Sequence, residues 1–562
     1  MKRSTTFALL AIFLFSMFLR LLPLTRYLFW GADIGEYYHI STQLTTDGSI
    51  SETYGGWGFA YPFFPGMEIV VAGSSLLGME LSLALSLIIP ILASLIVFPG
   101  FLLTTEITRD DRAGLVAAAF LAVVMPHVYP TSHPMPAALG DLLFATCLFL
   151  FYKWLKNPKF GFLLFPATLA LIVTHHLSTY FLLISLIFGI FLVQLLRNRT
   201  SNARLARELA YILFTAITVL LYWFVASPGF TERIALSEGF LFSPVLLGML
   251  ALASVVALLV VHSRRRFFPN LVFRYPTYRR TLASYASVFA VTLLILLVSA
   301  LVVVPGTTVD LPSMAAVLFF PLILFASFAG PGTRPMSMRQ GGLYPLAWTL
   351  AISLSTLAGI FASSKVLIPY RHIEYLMFPL AILAGVGFAH TSGLIHFEGN
   401  RKRTSLVTAF GLGLVLTNAF AAYPPRDIMA GYDEGMRPEL VSLARWSGEY
   451  ADDLTAADHR VSSMLFGFGD VDATWDTATL IFHSPDFEDA KAELEEVDSP
   501  SGMRRAIFVA FDQGTVDGVQ LYPWDPAEPM SDAAVSKFEE PPFQRVYDDG
   551  YSKLYYLNWG LA

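Results

Sequence analysis

Long apolar segments separated by short polar ones run from the start of the chain to about residue 422. Many of them approach the roughly 20 residues that a helix needs to cross the hydrocarbon core of a membrane. The pattern predicts about thirteen transmembrane helices. The predicted spans are 4–24, 81–105, 113–126, 137–152, 160–174, 177–196, 209–227, 238–262, 281–304, 313–330, 343–362, 373–391 and 405–422.

Two other regions have different patterns. The apolar segment 65–77 is too short to span a membrane alone, so we expect a re-entrant or interfacial helix. The tail alternates apolar and polar positions, with an amphipathic helix over 438–454, a buried strand over 505–511 and a hairpin turn at 547–551. The predicted fold is an all-α polytopic membrane domain over 1–422, followed by a small α/β domain over 423–562.

Composition agrees with a membrane protein. Hydrophobic residues make up 55% of the chain and charged residues 14%, which argues against several soluble domains. Cys147 is the one cysteine, so we expect neither a disulfide framework nor a cysteine-based metal site. The tail from Pro424 onward carries 27 acidic and 10 basic residues, so it is much more acidic than the whole chain, whose net charge is -6. The membrane part is therefore basic.

The basic residues of the membrane part predict its orientation. The apolar stretch after Lys2 and Arg3 lacks a small-residue cleavage site, so we interpret it as a retained first helix. With the N-terminus in the cytoplasm, about twenty Lys and Arg residues fall in inner loops and four in outer loops. An odd number of spans then places the tail outside the cytoplasm.

In this topology, many polar residues fall at the outer face. The first outer loop, 25–65, is long. Ionisable groups at helix ends are costly unless they are paired or face water, so their convergence predicts one polar cavity. Each residue also has a structural explanation, such as helix capping, interfacial packing or snorkelling. The candidate residues are Asp33, Glu36, Tyr61, His133, His175, His176, Arg371, His372 and Glu374.

Familiar motifs of soluble enzymes are missing from the sequence. It contains no Walker A loop, no GxGxxG motif after a strand, no HExxH and no paired CxxC. No inner loop is large enough to bind a nucleotide, and we expect no nucleic-acid partner. Outer-face chemistry would therefore use a donor already carried across the membrane, and a lipid-linked donor suits a membrane-embedded site.

Three motifs carry a resemblance to a known superfamily: GADIGEYY in the first outer loop, YPFFPG before the next helix, and YRHIEY near a late outer loop. Over residues 1–422 the chain resembles the GT-C superfamily of polyprenyl-phosphate-dependent glycosyltransferases. It looks most like archaeal relatives of protein mannosyltransferases and oligosaccharyltransferase catalytic subunits. The tail ending VYDDGYSKLYYL is also similar to the last hairpin of such archaeal proteins.

The resemblance implies an integral membrane glycosyltransferase that takes a sugar from a polyprenyl (dolichyl) phosphate. The acceptor would be a glycan, lipid or protein outside the cytoplasm. Asp33 would be the general base and Glu36 a second carboxylate one helical turn away. Arg371, helped by His372 or His176, would bind the donor phosphate. The resemblance leaves room for a divalent metal, Mg²⁺ or Mn²⁺, held by Asp33, Glu36 and a histidine.

The chain also departs from the superfamily pattern. Its tail lacks the WWDYG motif with which oligosaccharyltransferases bind their acceptor, which argues against transfer to an asparagine sequon. The first loop has DIGE in place of an adjacent Asp-Glu pair. Two alternatives remain: a transporter or lipid flippase, although paired repeats and midplane charges are not evident, and a non-catalytic scaffold with the same fold.

Overall fold

Apolar helices dominate the computed structural model, which describes residues 2–51, 54–196, 201–238, 277–299, 313–339, 341–362, 367–394, 400–424, 434–475, 477–499, 502–520 and 527–561. Within these ranges, eight helices are long and apolar enough to cross a membrane. The protein is therefore an integral membrane protein. The eight candidate spans are Arg3–Thr25, Leu81–Thr108, Pro136–Lys156, His176–Leu196, Asn202–Ala226, Tyr278–Leu297, Leu343–Phe361 and Pro369–Leu394.

Two helices of this region position the candidate site. We call Ile34–Thr46 the loop helix and Pro369–Leu394 the late helix. The helices before the tail are Arg3–Leu21, Ile34–Thr46, Gly66–Leu76, Leu81–Ser94, Val97–Thr108, Asp111–Val123, Met125–Thr131, Pro136–Lys156, Gly161–Thr174, His176–Leu196, Asn202–Leu221, Pro228–Glu238, Tyr278–Ser299, Ser313–Ala326, Ala329–Ser337, Leu343–Ala362, Pro369–Leu394 and Asn400–Phe420.

Some predicted spans are shorter or bent in the structure. The predicted span 113–126 consists of Asp111–Val123 and Met125–Thr131, which meet at 56°. The break occurs at the extended residue Val124, because Pro126 has no N–H to continue the helical hydrogen bonds. The spans predicted at 160–174 and 405–422 are shorter apolar helices. The predicted span 238–262 lies outside the described residues.

Close backbone contacts hold the late helix in the interior. A Cβ atom on Gly387 would overlap the carbonyl oxygen of Phe328, and one on Gly332 would overlap that of Leu383. These glycines let the late helix and Ala329–Ser337 pack backbone to backbone, as small residues do in membrane interiors. These contacts fix the C-terminal half of the late helix, which carries Arg371 in its first turn.

The tail contains a small mixed sheet. The strands of the described residues are β1 (Phe29–Trp30), β2 (Gly435–Met436), β3 (Thr455–Ala456), β4 (Val497–Ser499), β5 (Gly502–Arg504), β6 (Phe508–Asp512), β7 (Phe543–Asp548) and β8 (Ser552–Leu557). In the sheet, β3, β6, β8 and β7 lie side by side in that order; β3 and β6 are parallel, and the other neighbours are antiparallel. The tail helices are Pro438–Tyr450, His459–Gly469, Leu480–His483, Phe487–Glu495, Gln513–Asp517 and Asp532–Ser536. The predicted tail helix, strand and hairpin therefore form with small shifts in their bounds.

The first loop and the tail are joined directly. Strand β1 of the loop pairs with β2 at the start of the tail. The loop helix crosses His459–Gly469, which we call the tail helix, and the Gly35 N–H donates to Ser463 Oγ at 3.0 Å. A Cβ atom on Gly35 would overlap the Ser463 carbonyl oxygen, so glycine permits this crossing. The first loop and the tail therefore lie on the same side of the membrane.

Candidate functional site

Asp33 lies where the loop helix meets the tail. It is the residue that precedes the helix, and its side chain is 20% exposed. Its Oδ1 lies 2.8 Å from Nε2 of His459, and its Oδ2 accepts a hydrogen bond of 2.8 Å from the Tyr61 hydroxyl. Three segments distant in sequence therefore meet at one carboxylate.

The surroundings of Asp33 favour its ionised form. Burial acts to raise the pKa of Asp33, but this effect is outweighed. Hydrogen bonds from His459 and Tyr61 and the positive charge of Arg371 hold the pKa below its usual range. At neutral pH the site thus contains a carboxylate that can accept a proton.

Glu36 is also buried but has different partners. Its Oε2 accepts from the Tyr54 hydroxyl at 2.6 Å and from the Gly58 N–H at 2.8 Å, and its Oε1 accepts from the Trp57 N–H at 3.0 Å. Burial and the negative charge of Asp33 raise the pKa of Glu36 to about 8, against the opposing effect of these hydrogen bonds. Glu36 thus fixes the conformation of the segment 54–58.

Arg371 brings a positive charge to the same region from the late helix. Its side chain is half-buried, and its Cζ lies 6.0 Å from the centre of the Tyr370 ring. It interacts electrostatically with Asp33 and with Tyr61, which itself bonds Asp33. The structure therefore brings Asp33, Tyr61 and Arg371 into one neighbourhood.

His175 and His176 lie at the junction of two apolar helices, and both are half-buried. His175 Nδ1 is 2.7 Å from Ser178 Oγ and 3.3 Å from the Tyr375 hydroxyl. The His176 ring packs against aromatic side chains, with centroid distances of 5.2 Å to Phe64 and 5.0 Å to Phe230. Both histidines interact electrostatically with Arg371, so they belong to its surroundings.

His372 and Glu374 lie deeper in the helix packing. His372 is fully buried; its Nε2 is 2.9 Å from Ser355 Oγ, and its Nδ1 is 3.0 Å from the Ile368 carbonyl oxygen. Glu374 is buried and interacts with the charges of Asp141, Arg371 and Arg20. Neither residue is joined to Asp33 by a hydrogen bond, and His372 has partners for both ring nitrogens.

His133 packs beneath the first loop. Its ring lies 5.8 Å from that of Trp30, and its Nε2 is 3.7 Å from Glu434 Oε2, which accepts from the Ala32 N–H. Burial lowers the pKa of His133 to about 3, so the ring is neutral at physiological pH. His133 supports the backbone next to Asp33, and its Nε2 has no hydrogen-bond partner among the residues that the structure describes.

The residues predicted to hold a metal are engaged in other contacts. Both oxygens of Asp33 and both oxygens of Glu36 already accept hydrogen bonds from the protein. In the part of the chain that the structure describes, no group of three His, Cys, Asp or Glu side chains is arranged to hold a metal ion. Among the described residues, Asp33 and Glu36 therefore have no third ligand beside them that would complete a metal site, and the Mg²⁺ or Mn²⁺ ion stays a prediction.

Sequence reasoning missed two residues of this site, His459 and Tyr54. His459 begins an ordinary amphipathic tail helix, and only Asp458 before it gives a recognisable helix-capping signal. Tyr54 lies in a loop without periodicity. The partner of His459 is 426 positions away in the sequence, so no local pattern could have identified the contact.

Comparison with known proteins gives a fold. No family model matches the sequence, and no curated protein matches it. The oligosaccharyltransferase AglB from Archaeoglobus fulgidus, solved with an inhibitory peptide and a dolichol-phosphate, aligns with a TM-score of 0.58 and 14% identity over 91% of this chain and 69% of that chain. This chain has the GT-C fold.

Two further structures, both of an oligosaccharyltransferase from Archaeoglobus fulgidus, share this fold with the chain. One, solved with Zn and sulfate, aligns with a TM-score of 0.60 and 14% identity over 99% of this chain and 74% of that chain. The other, tethered to an acceptor peptide containing the NVT sequon, aligns with a TM-score of 0.58 and 13% identity. That alignment covers 91% of this chain and 69% of the other chain. The predicted fold class, a helical polytopic membrane protein with a small sheet-containing domain near the C-terminus, is thereby confirmed.

Proposed function

We propose that the protein transfers a sugar from a polyprenyl phosphate, such as dolichyl phosphate, to an acceptor outside the cytoplasm. One observation carries the proposal: a partly exposed, ionised carboxylate, Asp33, lies within the electrostatic reach of a cation, Arg371. Such a pair can receive a proton from an acceptor and stabilise the charge of a departing phosphate. The GT-C fold supports this function, because the AglB structure contains a dolichol-phosphate.

Asp33 would act as the general base. As the acceptor oxygen bonds to the anomeric carbon of the sugar, its proton passes to Asp33 and the bond from that carbon to the phosphate oxygen breaks. The electron pair of that bond leaves with the lipid phosphate. This single displacement inverts the anomeric centre. The carboxylate retains acceptor capacity beyond its two hydrogen bonds, because its two oxygens offer about four sites.

Arg371 would bind the donor phosphate. A guanidinium can donate two parallel hydrogen bonds to phosphate oxygens, and its charge offsets the charge that develops on the leaving group. Among the histidines, His175 and His176 are the candidates to assist it, since they share its surroundings. His372 is a weaker candidate because both its ring nitrogens already have partners. Glu36 would act as a positioning residue through the segment 54–58.

The acceptor class follows from a difference between this chain and AglB. One oligosaccharyltransferase structure from the same organism is tethered to an acceptor peptide containing the NVT sequon. The present chain lacks the WWDYG motif, so we propose an acceptor hydroxyl on a protein, lipid or glycan. The carboxylate is a suitable base for a hydroxyl proton.

The test is an assay of the purified full chain in lipid vesicles with a panel of polyprenyl-phosphate sugars. Three acceptors are offered in parallel: a peptide with an NVT sequon, a serine- and threonine-rich peptide, and a glycolipid. Mass spectrometry should detect glycosylated product with the hydroxyl acceptors. Movement of the labelled lipid across the vesicle membrane without product would favour a flippase. Absence of both product and lipid movement would favour a scaffold.

A further inference from the structure

His459 is the point at which the tail enters the candidate site. Its side chain is fully buried, and its Nε2 lies 2.8 Å from Asp33 Oδ1. The His459 ring packs edge-on against Trp57, with 5.0 Å between centroids, and against Trp475 at 5.8 Å. The tail therefore closes one side of the carboxylate.

The neighbours of His459 hold it in place. Asp458 caps the tail helix by accepting from the Val461 N–H at 2.9 Å, and Arg460 Nη2 forms a buried ion pair of 2.8 Å with Asp512. The His459 N–H donates to the Gln520 carbonyl oxygen at 2.6 Å. Contacts on both sides of His459 thus anchor its backbone to the sheet, and its ring has little freedom to turn away from Asp33.

The environment of the ring also defines the direction of the hydrogen bond. An ionised carboxylate can only accept, so His459 Nε2 must carry the proton. His459 Nδ1 is buried with no hydrogen-bond partner among the residues that the structure describes. A proton on Nδ1 would leave a buried donor unsatisfied, which is unfavourable. The contacts therefore place a proton on Nε2, where it faces Asp33.

We infer that His459 is a positioning residue for Asp33: it orients the carboxylate and keeps it ready to accept a proton, so the tail completes the site. This inference rests on the proposed transfer function. In that reaction Asp33 must point at the acceptor oxygen while remaining ionised, and the Nε2–H of His459 favours both. Tyr61 fixes the second oxygen, which leaves the outer lone pairs of the carboxylate for the acceptor.

Several titratable groups surround Asp33, and each bears on a pH test. They come from the loop helix, the loop after it, the segment beneath the loop, the late helix and the tail. These groups are Glu36, Tyr37, Tyr61, His133, Arg371 and His459. Because all but His459 remain when His459 is replaced, a change between variants at that position reports on His459 itself.

The experiment compares His459→Leu and His459→Gln by the pH profile of kcat/KM. Leu removes the donor, so the acid limb of the profile, which reports Asp33, should move to higher pH and transfer at pH 7 should fall about tenfold or more. Gln offers an amide N–H near the position of Nε2. The His459→Gln protein should therefore keep most of the transfer rate, and the acid limb of its pH profile should lie close to that of wild type. His483→Gln, the same change on another tail helix, is the matched control and should match wild type.

A second measurement does not depend on the acceptor. The thermal unfolding of wild type, Asp33→Asn, His459→Leu and the double variant forms a double-mutant cycle. We expect non-additive shifts in Tm, since Asp33→Asn removes the negative charge that strengthens this hydrogen bond and His459→Leu removes its donor. Additive shifts, or an unmoved acid limb in an active His459→Leu protein, would overturn the positioning role. If wild type transfers no sugar from any lipid-linked donor, the proposed function fails, and the role of His459 fails with it.

Discussion

Asp33 and Glu36 are one helical turn apart at the start of the same helix, yet their surroundings give them different tasks. Asp33 accepts hydrogen bonds from His459 and Tyr61 and lies near the positive charge of Arg371, and its pKa is lowered. Glu36 is more deeply buried beside that negative charge, and its pKa is raised to about 8. Two neighbouring carboxylates can rarely both be ionised in a buried site, so one becomes the base and the other stays protonated.

Replacing Asp33 with Asn keeps the size of the side chain and removes its basicity. We expect Asp33→Asn to reduce kcat about 10²- to 10⁴-fold, the usual contribution of a general base, with polyprenyl-phosphate binding unchanged within a few-fold. Asp47→Asn, the same change at the exposed far end of the loop helix, should have little effect. Undiminished transfer by Asp33→Asn would show that another residue is the base.

Arg371→Lys tests the shape of the cation rather than its charge. Lys keeps the positive charge and loses the two-pronged donor geometry, so both donor binding and turnover should fall, with kcat/KM lower by about tenfold or more. The exposed Arg26 provides the control Arg26→Lys, which should behave as wild type. Binding of a labelled polyprenyl phosphate, measured beside the rate of transfer, separates the effect on donor binding from the effect on turnover. Equal donor binding and equal kcat/KM in Arg371→Lys and wild type would contradict the role of Arg371 on the donor phosphate.

The raised pKa of Glu36 makes stability depend on pH. Between the usual pKa of a glutamate and about 8, the folded protein keeps a proton that the unfolded chain releases, so this contribution to the free energy of unfolding decreases as pH rises. Glu36→Gln removes the titration. We therefore expect the Tm of wild type to fall more steeply than that of Glu36→Gln between about pH 5 and pH 8. Parallel curves, measured by thermal unfolding in one detergent, would mean that Glu36 has an ordinary pKa.

At the scale of elements, the site depends on where short helices touch. The loop helix crosses the tail helix at Gly35, and on the other side of the crossing a Cβ atom on Gly467 would overlap the Gly35 backbone. Two glycines at one crossing bring the helix axes close enough for His459 to reach Asp33. The geometry of the carboxylate is therefore set by backbone contact, before any side chain of the site is considered.

Gly35→Ala should disturb this crossing. The added methyl group would overlap the Ser463 carbonyl oxygen, which cannot move without shifting the tail helix. We expect a loss of about 1–3 kcal/mol in the free energy of unfolding, as in other overpacked interiors, together with strongly reduced transfer. Gly73→Ala, in a helix with open space around the glycine, is the matched control and should be neutral or slightly stabilising. A Gly35→Ala protein with wild-type Tm would refute the close crossing.

How far the sequence predicts these elements depends on their length and on their partners. Long apolar helices were predictable because the membrane requires about 20 apolar residues. The bend at Val124 was missed because hydropathy counts apolar residues without regard to prolines. His372 directly follows Arg371, but adjacent helix residues point about 100° apart. The His372 ring nitrogens lie near Ser355 Oγ and the Ile368 carbonyl oxygen, and its assistance to Arg371 stays a prediction.

At the scale of the whole molecule, the contact between the first loop and the tail constrains the topology. Strand β1 pairs with β2, and Asp33 contacts His459, so both regions must lie on one side of the membrane. An odd number of spans between them would separate the two regions. The distribution of basic residues places this shared side outside the cytoplasm, and that orientation stays a prediction.

Cysteine labelling can test the orientation because the chain has one native cysteine, Cys147, which is buried. Three exposed positions report on the two sides of the membrane. They are Ser49 in the first loop, Ser531 in the tail and Lys159 in a predicted inner loop. In intact cells, a membrane-impermeant maleimide should label Ser49→Cys and Ser531→Cys, while Lys159→Cys should react only after permeabilisation. Wild type, which should remain unlabelled, is the control.

The labelling pattern separates two kinds of error. If Lys159→Cys reacts in intact cells and both other variants do not, the fold stands but the chain is inverted, and the transfer reaction would face the cytoplasm. If Ser49→Cys and Ser531→Cys differ from each other, a membrane separates the first loop from the tail. The contact between Asp33 and His459 could not then exist in the native protein, because a hydrogen bond of 2.8 Å cannot form across a bilayer about 30 Å thick. The same-side result is therefore a condition for every chemical role argued from this site.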